Sequence, residues 1–209
     1  MLIEYWADYI CPWCYLALDR VRHLTERHGV EVRWRPFELH PEIPPDGGEA
    51  PVIRRTRDTS DWLRTQLEEA GLTTATRTTW SNSRLALALS VWAEDLPQWP
   101  ELHVALYSAY WAEGRDLGDP EELKEIATGV GIAHDAVTRA LADGSGFEGV
   151  AAARDRALDL GIAATPGWHL PDGAVFTGVH ERDVFDRVVA KARSRNAEQD
   201  HPHDNRGSG

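Results

Sequence analysis

Cys11 and Cys14 are the two cysteines of this 209-residue chain, and they enclose Pro12 and Trp13 in a C-x-x-C spacing. A strand-like run at 2–7 precedes them, and apolar residues at helical spacing follow. Cys11 is therefore expected at a helix N-terminus, where unpaired N–H groups and the helix dipole stabilise a thiolate. Pro12 suits the first helical position because the N–H it lacks would have no intrahelical partner. A thiolate one turn from a second thiol can carry out disulfide exchange.

Two structural roles of the cysteine pair fit the sequence less well. A zinc site would need two further ligands from nine scattered histidines, and the H-x₄-H pair His23 and His28 falls on the same predicted helix as Cys14. A disulfide within one helical turn closes too short a loop to stabilise the fold much. The sequence therefore predicts redox chemistry and no metal site.

The composition and charge of the chain indicate which kinds of partner it binds and in which cellular compartment it is found. The 22 basic against 34 acidic residues give a net charge of −12, and no basic cluster is present, which argues against nucleic acid and anionic membranes as partners. No apolar stretch has the length of a transmembrane helix, and no secretory signal precedes the cysteines. We expect a cytoplasmic protein, in which a lone C-x-x-C is more often catalytic than structural.

The predicted elements that position the cysteines belong to an α/β protein. A second strand covers 30–37, and a Pro- and Gly-rich loop covers 38–51. The next predicted elements are a helical block at 52–161, a hairpin at 167–177 and a helix to about residue 196, followed by a disordered tail at 197–209. This order is the plan of a thioredoxin fold with a large inserted all-helical domain. Residues 1–51 and 162–196 would form the two halves of the thioredoxin domain, and 52–161 the insertion.

Several segments carry a more specific resemblance. They are residues 5–16 around Cys-Pro-Trp-Cys, the run 35–39 (Arg-Pro-Phe-Glu-Leu), Asn82-Ser83 opening a helix that contains Trp92-Ala93, and residues 160–166 (Leu-Gly-Ile-Ala-Ala-Thr-Pro). On these segments the chain resembles the DsbA-like branch of the thioredoxin superfamily, and within it the cytoplasmic FrnE-like proteins. The resemblance extends from residue 1 to about residue 192.

The resemblance implies roles for four residues. Cys11 corresponds to the attacking cysteine, the more exposed of the two, and Cys14 to the resolving cysteine. Pro166 corresponds to a cis-proline that faces the cysteine pair. Thr165 precedes it, and its backbone would pair with an extended substrate peptide.

Further site residues are implied with less precision. A buried acid often accepts the proton in such folds, and Glu4, seven residues before Cys11, matches better than Asp8. Trp13 and Trp168 are expected to flank the thiolate in an apolar groove. Pro12 and Asn82 complete the expected substrate-binding residues.

The implied activity is thiol–disulfide oxidoreduction or isomerisation of proteins that contain thiols or disulfides. No bound cofactor is expected, although glutathione or a similar low-molecular-weight thiol would be a partner, and a homodimer stays open. The alternative is a glutathione-dependent isomerase or transferase of the kappa or hydroxychromene-carboxylate type, including a natural-product tailoring enzyme. Such enzymes typically carry serine where Cys11 stands and lack the second cysteine. A binding module without turnover is a third class.

Overall fold

The computed structural model describes residues 1–49, 57–77 and 79–200, which form six strands and eight helices. The strands are β1 (Leu2–Ala7), β2 (Glu31–Pro36), β3 (Gly48–Glu49), β4 (Thr79–Trp80), β5 (Gly167–His169) and β6 (Val175–Thr177). The helices are α1 (Pro12–His28), α2 (Arg57–Glu69), α3 (Arg84–Trp92), α4 (Trp99–Trp111), α5 (Pro120–Gly129), α6 (His134–Asp143), α7 (Phe147–Asp159) and α8 (Arg182–Asp200).

The central sheet has four strands in the order β2-β1-β5-β6. β1 runs parallel to β2, with Leu2 opposite Glu31, and antiparallel to β5, with Tyr5 opposite Trp168. β1 is buried on both faces from Ile3 onward, which explains its continuous apolar character. The sheet and its helices form the predicted thioredoxin fold, and the strands at 2–7 and 167–177 lie where the sequence predicts them.

The helical insertion shares a core with the sheet. Buried side chains of β1 and α1 join those of α4 in one apolar cluster that includes Ile3, Leu16, Leu102 and Leu106. α1 packs against α8, and α7 packs against both α3 and β2. Because the core is continuous, packing alone does not divide the chain at 52 and 161, and those domain boundaries stay predictions.

Two features differ from the expected layout. β3 and β4 pair as a small antiparallel sheet, and β4 lies inside the block predicted to be helical. Strands of two residues are too short to show an alternating pattern. α8 continues to Asp200, into the segment expected to be a disordered tail, because its backbone hydrogen bonds continue past the buried Ala192. Residues 201–209 lie outside the described part, as do 50–56 between the predicted loop and the helical block.

Within the ranges described above, no helix combines the length and the apolar character that crossing a membrane requires.

Candidate active site

Cys11 lies at the junction of β1 and α1. It is the N-cap of α1, with extended backbone angles φ −86° and ψ 118°, and Pro12 begins the helix as predicted. The carbonyl oxygen of Cys11 accepts hydrogen bonds from the N–H groups of Cys14 (3.0 Å) and Tyr15 (3.1 Å). The N–H of Cys11 donates to the carbonyl oxygen of Asp8 at 3.2 Å. The turn at 8–11 is therefore held by its own backbone, with the Cys11 sulfur at the positive end of the helix dipole.

Thr165 brings the second half of the fold to the reactive sulfur. The Cys11 Sγ–H donates to the carbonyl oxygen of Thr165 at 3.6 Å. The Thr165–Pro166 peptide bond is cis, as predicted. Pro166 in turn accepts a hydrogen bond of 2.7 Å from the Gly178 N–H, which ties this segment to the end of β6. The cysteine pair and the proline segment thus meet at one end of the sheet.

The pKa values of the two thiols are shifted in opposite directions. Burial raises the pKa of Cys11, but the Cys14 thiol, the Thr165 side chain and the Cys14 N–H together outweigh burial and leave that pKa below its ordinary value. Burial raises the pKa of Cys14 well above its ordinary value, and the neighbouring Cys11 raises it further. The pair therefore consists of one sulfur that ionises readily and one that keeps its proton.

Both cysteines are buried and unpaired. Cys11 is 1% exposed and Cys14 is 0% exposed, so neither sulfur is open to solvent and the expected difference in exposure is very small. The physical reason is that the Thr165 segment packs directly against the Cys11 sulfur. A substrate sulfur reaches Cys11 only after the atoms that cover it move.

Asp8 is a fully buried carboxyl three residues before Cys11. Its Oδ2 accepts from the Leu39 N–H at 2.7 Å, and its Oδ1 accepts from the Ile10 N–H at 3.3 Å. Burial raises the pKa of Asp8 from 3.8 to about 6, in spite of these hydrogen bonds. The negative charge of Asp8 in turn raises the pKa of Cys11, so the two groups interact electrostatically.

Glu4, the other candidate acid, forms ion pairs with two arginines. Its carboxylate accepts from Arg35 at 2.9 Å and from Arg156 at 2.6 Å. Burial acts to raise the pKa of Glu4, but the two arginines outweigh it and lower that pKa. Glu4 therefore stays ionised near neutral pH, whereas Asp8 takes up a proton at about pH 6.

The two residues between the cysteines differ in exposure, and Pro12 is buried at the start of α1. Trp13 is half-buried and stacks on Trp62 of α2, with ring centroids 6.1 Å apart and planes inclined by 30°. Pro12 and Trp111 line one side of a cleft of about 740 Å³, whose other walls are α2 and the segment 71–75. This volume falls within the range that small-molecule and peptide-like ligands occupy.

Two residues expected to contact substrate are buried, and their side chains bond other parts of the protein. Trp168 is fully buried, stacks on Tyr5 at 5.0 Å, and donates from Nε1 to the Gly178 carbonyl at 2.9 Å, because β5 is an inner strand of the sheet. It has no surface to offer a groove. Asn82 is buried, and its Nδ2 donates to the Ile43 carbonyl at 2.6 Å. Its Oδ1 accepts from the Arg84 N–H at 2.9 Å, so its amide supports the start of α3 instead of a substrate.

Two aromatic residues of α4 support the site and were not predicted. Trp111 donates from Nε1 to the Tyr9 carbonyl at 2.9 Å. Tyr107 donates from its hydroxyl to the Asp8 carbonyl at 3.3 Å. Both therefore hold the turn that presents Cys11. In the sequence the two aromatic residues stand four positions apart, on one face of α4, about 100 residues from the cysteines.

The chain matches a known protein family. Residues 2–190 match the family model described as the DSBA-like thioredoxin domain. The chain belongs to the DsbA-like thioredoxin family. The predicted DsbA-like fold is confirmed, whereas membership of the FrnE-like branch stays a prediction.

Individual DsbA-like relatives differ in their named activities. A probable DsbA oxidoreductase from Streptomyces coelicolor is 28% identical, with a TM-score of 0.83 over 93% of this chain and 90% of that chain. A 2-hydroxychromene-2-carboxylate isomerase from Sphingobium xenophagum is 25% identical over 193 residues, 90% of this chain and 97% of that protein. The cytosolic disulfide reductase DsbM from Pseudomonas aeruginosa, with GSH, is 20% identical with a TM-score of 0.64 and covers 93% of this chain and 100% of that chain. At this last identity the likeness concerns the fold.

Proposed function

We propose that the protein is a thiol–disulfide oxidoreductase in which Cys11 is the nucleophile and Cys14 the resolving cysteine. The observation that carries this proposal is the asymmetry of the pair at the start of α1, with the pKa of Cys11 lowered and that of Cys14 raised. The thiolate is the reactive form in disulfide exchange, so the sulfur that ionises more easily attacks first. The DsbA-like family and the named activity of the Streptomyces coelicolor protein support the same assignment.

In the reductive direction the reaction has two exchange steps. The Cys11 thiolate attacks one sulfur of a substrate disulfide, a mixed disulfide forms, and the other substrate sulfur leaves as a thiolate. Cys14 then loses its proton and attacks the Cys11 sulfur, which forms the Cys11–Cys14 disulfide and releases the second substrate thiolate. Two electrons pass to the substrate. Two molecules of a low-molecular-weight thiol such as glutathione then reduce the Cys11–Cys14 disulfide to the dithiol and leave as their own disulfide. The reverse sequence oxidises a substrate dithiol.

We assign Asp8 as the base that accepts the proton of the Cys14 thiol. The Cys14 thiol has a raised pKa and needs a base before it can attack. Asp8 is buried beside the pair and has a pKa of about 6, so it is mostly ionised at neutral pH and can take up one proton. Glu4 is a weaker base because Arg35 and Arg156 hold it in the charged form.

The substrate surface we propose consists of the cleft beside Pro12, the half-buried Trp13 and the Thr165–Pro166 segment. Thr165 would pair its backbone with an extended substrate peptide, and the cleft would take the neighbouring side chains. This surface suits a disulfide- or thiol-containing protein and needs no bound cofactor. We further infer action in the cytoplasm, in keeping with the cytosolic reductase among the fold relatives.

A second candidate function has specific support. The Sphingobium xenophagum relative is an isomerase of 2-hydroxychromene-2-carboxylate, and one fold relative is a reductase with GSH. The cleft of about 740 Å³ beside Pro12 has room for glutathione together with a small substrate. A glutathione-dependent isomerase or transferase would not need Cys14, so retention of both cysteines makes this the second candidate.

Insulin reduction tests the first proposal, and glutathione conjugation of an electrophile, run in parallel, tests the second. Wild type is expected to reduce insulin in the presence of a thiol, and both Cys11→Ser and Cys14→Ser are expected to lose that activity. If Cys14→Ser keeps full turnover in the conjugation or isomerase assay while wild type leaves insulin unreduced, the glutathione-dependent function replaces the oxidoreductase.

A further inference from the structure

Two histidines of α1 converge on one aspartate of α8. The Nε2 atoms of His23 and His28 each lie 2.6 Å from Oδ1 of Asp186. The ring centroids of the two histidines are 5.8 Å apart, with the planes inclined by 76°. One potential ligand atom from each of the three residues lies within 4.8 Å of the others. This His-His-Asp cluster is the one group of this kind found in the described ranges.

The fold brings these residues together across the α1–α8 contact. His28 is the last residue of α1, and Gly29 closes the helix in the left-handed conformation, with φ 59°. Arg193 of α8 donates to the His28 carbonyl oxygen at 2.6 Å, which fixes the end of α1 against α8. The side chains of His23 and His28 are 17% and 16% exposed, and that of Asp186 is 32% exposed. The cluster is thus preformed, yet open to solvent on one side.

We propose that His23, His28 and Asp186 bind one divalent transition-metal ion, with Zn²⁺ as the best-suited ion. Two imidazole nitrogens and one carboxylate oxygen are ligands that Zn²⁺ accepts in tetrahedral sites, and a water molecule would complete the fourth position. Arg27 faces the other carboxylate oxygen of Asp186 at 3.6 Å, so the aspartate is supported from outside the proposed ligand set.

Metal binding requires a small adjustment of the cluster. Bonds of about 2.0–2.1 Å to a tetrahedral ion separate ligand atoms by roughly 3.3 Å, whereas the N···O distances here are 2.6 Å and correspond to hydrogen bonds. The partly exposed Asp186 side chain can provide the difference by rotation. The ion then takes the place of the shared protons between the imidazoles and the carboxylate.

The position of the cluster indicates a structural role. His28 is 17 residues beyond Cys11 in the sequence, about 25 Å along the axis of α1 at 1.5 Å per residue. At that distance the metal does not take part in disulfide exchange. It would clamp α1, which presents the cysteines at its opposite end, to the last helix of the fold.

Isothermal titration with Zn²⁺ tests the proposal. The parent for the test is the full chain with Cys11→Ser and Cys14→Ser, so that the dithiol cannot bind zinc, and with His201→Ala and His203→Ala, so that the C-terminal histidines cannot. We expect one Zn²⁺ per chain in this parent. His23→Ala, His28→Ala and Asp186→Asn are each expected to weaken binding at least tenfold. His134→Ala, which removes an exposed histidine of α6, is the matched control and is expected to leave the affinity unchanged.

A thermal scan gives an independent readout in the same proteins. At a free Zn²⁺ concentration about 100 times the Kd, the parent and the His134→Ala control are expected to melt about 5–10 °C higher than without metal. The three cluster variants are expected to rise by at most about half as much at the same free Zn²⁺ concentration, because a site at least tenfold weaker is at most about tenfold above its Kd there. Absence of Zn²⁺ binding in the parent, or equal affinity in the Asp186→Asn variant, would overturn the proposal and leave the cluster as a hydrogen-bonded contact between helices.

Discussion

The Cys11 thiol donates a hydrogen bond to the carbonyl oxygen of Thr165 across 154 residues of sequence. This contact joins the two halves of the thioredoxin fold at the reactive sulfur. Ionisation of Cys11 removes the proton that the bond needs, which frees the Thr165 carbonyl oxygen for an N–H of a substrate peptide. Activation of the nucleophile and opening of the substrate surface are thereby linked in the proposed mechanism.

Titration of the Cys11 thiolate is expected to have a midpoint below about 8.5, the value of an unperturbed cysteine. The reason is that the Cys14 thiol, the Thr165 side chain and the Cys14 N–H lower the pKa of Cys11 in spite of burial. Ultraviolet thiolate absorbance, or the pH dependence of the alkylation rate, measures the midpoint. Cys11→Ser is the control that assigns the signal to Cys11. A midpoint at or above the unperturbed value contradicts the proposed activation.

Replacement of Asp8 by Asn is expected to slow the resolving step more than the first attack. Cys14 then lacks the base we assign to it, so the mixed disulfide on Cys11 persists at neutral pH. Rapid-quench trapping with a disulfide peptide measures the two steps separately. Glu4→Gln is the matched acid-to-amide control, because Glu4 is paired with Arg35 and Arg156, and it is expected to leave both rates within about a factor of two. Equal slowing in both variants would remove the special role of Asp8.

The raised pKa of Asp8 makes the stability of the folded protein depend on pH. Its pKa in the folded protein is raised from 3.8 to about 6, so the folded state holds this proton where the unfolded chain has lost it. The contribution of Asp8 to stability is therefore largest below about pH 4 and is lost as pH rises through about 6. From about pH 3 to about pH 7 the free energy of unfolding of wild type is expected to fall relative to Asp8→Asn by as much as about 3 kcal/mol. Urea unfolding at both pH values measures the difference, and a constant difference contradicts the raised pKa.

Replacement of Trp111 by Phe is expected to destabilise the turn that presents Cys11. The indole N–H bonds the carbonyl oxygen of buried Tyr9, and its removal leaves that carbonyl unpaired at a cost of about 1–3 kcal/mol. Urea unfolding measures the loss. The control is Trp62→Phe, which removes an indole N–H bonded to exposed Glu181 and is expected to cost less. A cost for Trp111→Phe no greater than that of the control contradicts the supporting role of α4.

Local patterns in the sequence predict the parts of the fold that are set locally. The apolar run at 2–7 and the helical spacing after Cys11 predict β1 and α1 because both signals extend over several residues. The turn Pro171-Asp172-Gly173 likewise predicts the β5–β6 hairpin. β4 could not be predicted in this way, because a strand of two residues is too short to show an alternating pattern.

Contacts between distant segments are not encoded in local patterns. The burial of Trp168 depends on β5 lying between β1 and β6, which no spacing within the hairpin reveals. The sequence likewise shows His23 and His28 as a pair without further ligands, because Asp186 joins them from 158 residues beyond His28. The preference for Asp8 over Glu4 also arises from tertiary structure, since it depends on which carboxyl meets the two arginines.

Mapping of a trapped mixed disulfide tests the central claim most directly. The Cys14→Ala variant is incubated with a disulfide-bonded peptide, digested without reductant and analysed by mass spectrometry, with Cys11→Ala as the matched variant. The proposed mechanism predicts a stable peptide adduct on Cys11 in Cys14→Ala, and little or no adduct on Cys14 in Cys11→Ala, because the Cys14 thiol keeps its proton. An adduct that accumulates on Cys14 as fast as on Cys11, or on neither cysteine, would contradict the assignment of Cys11 as the nucleophile.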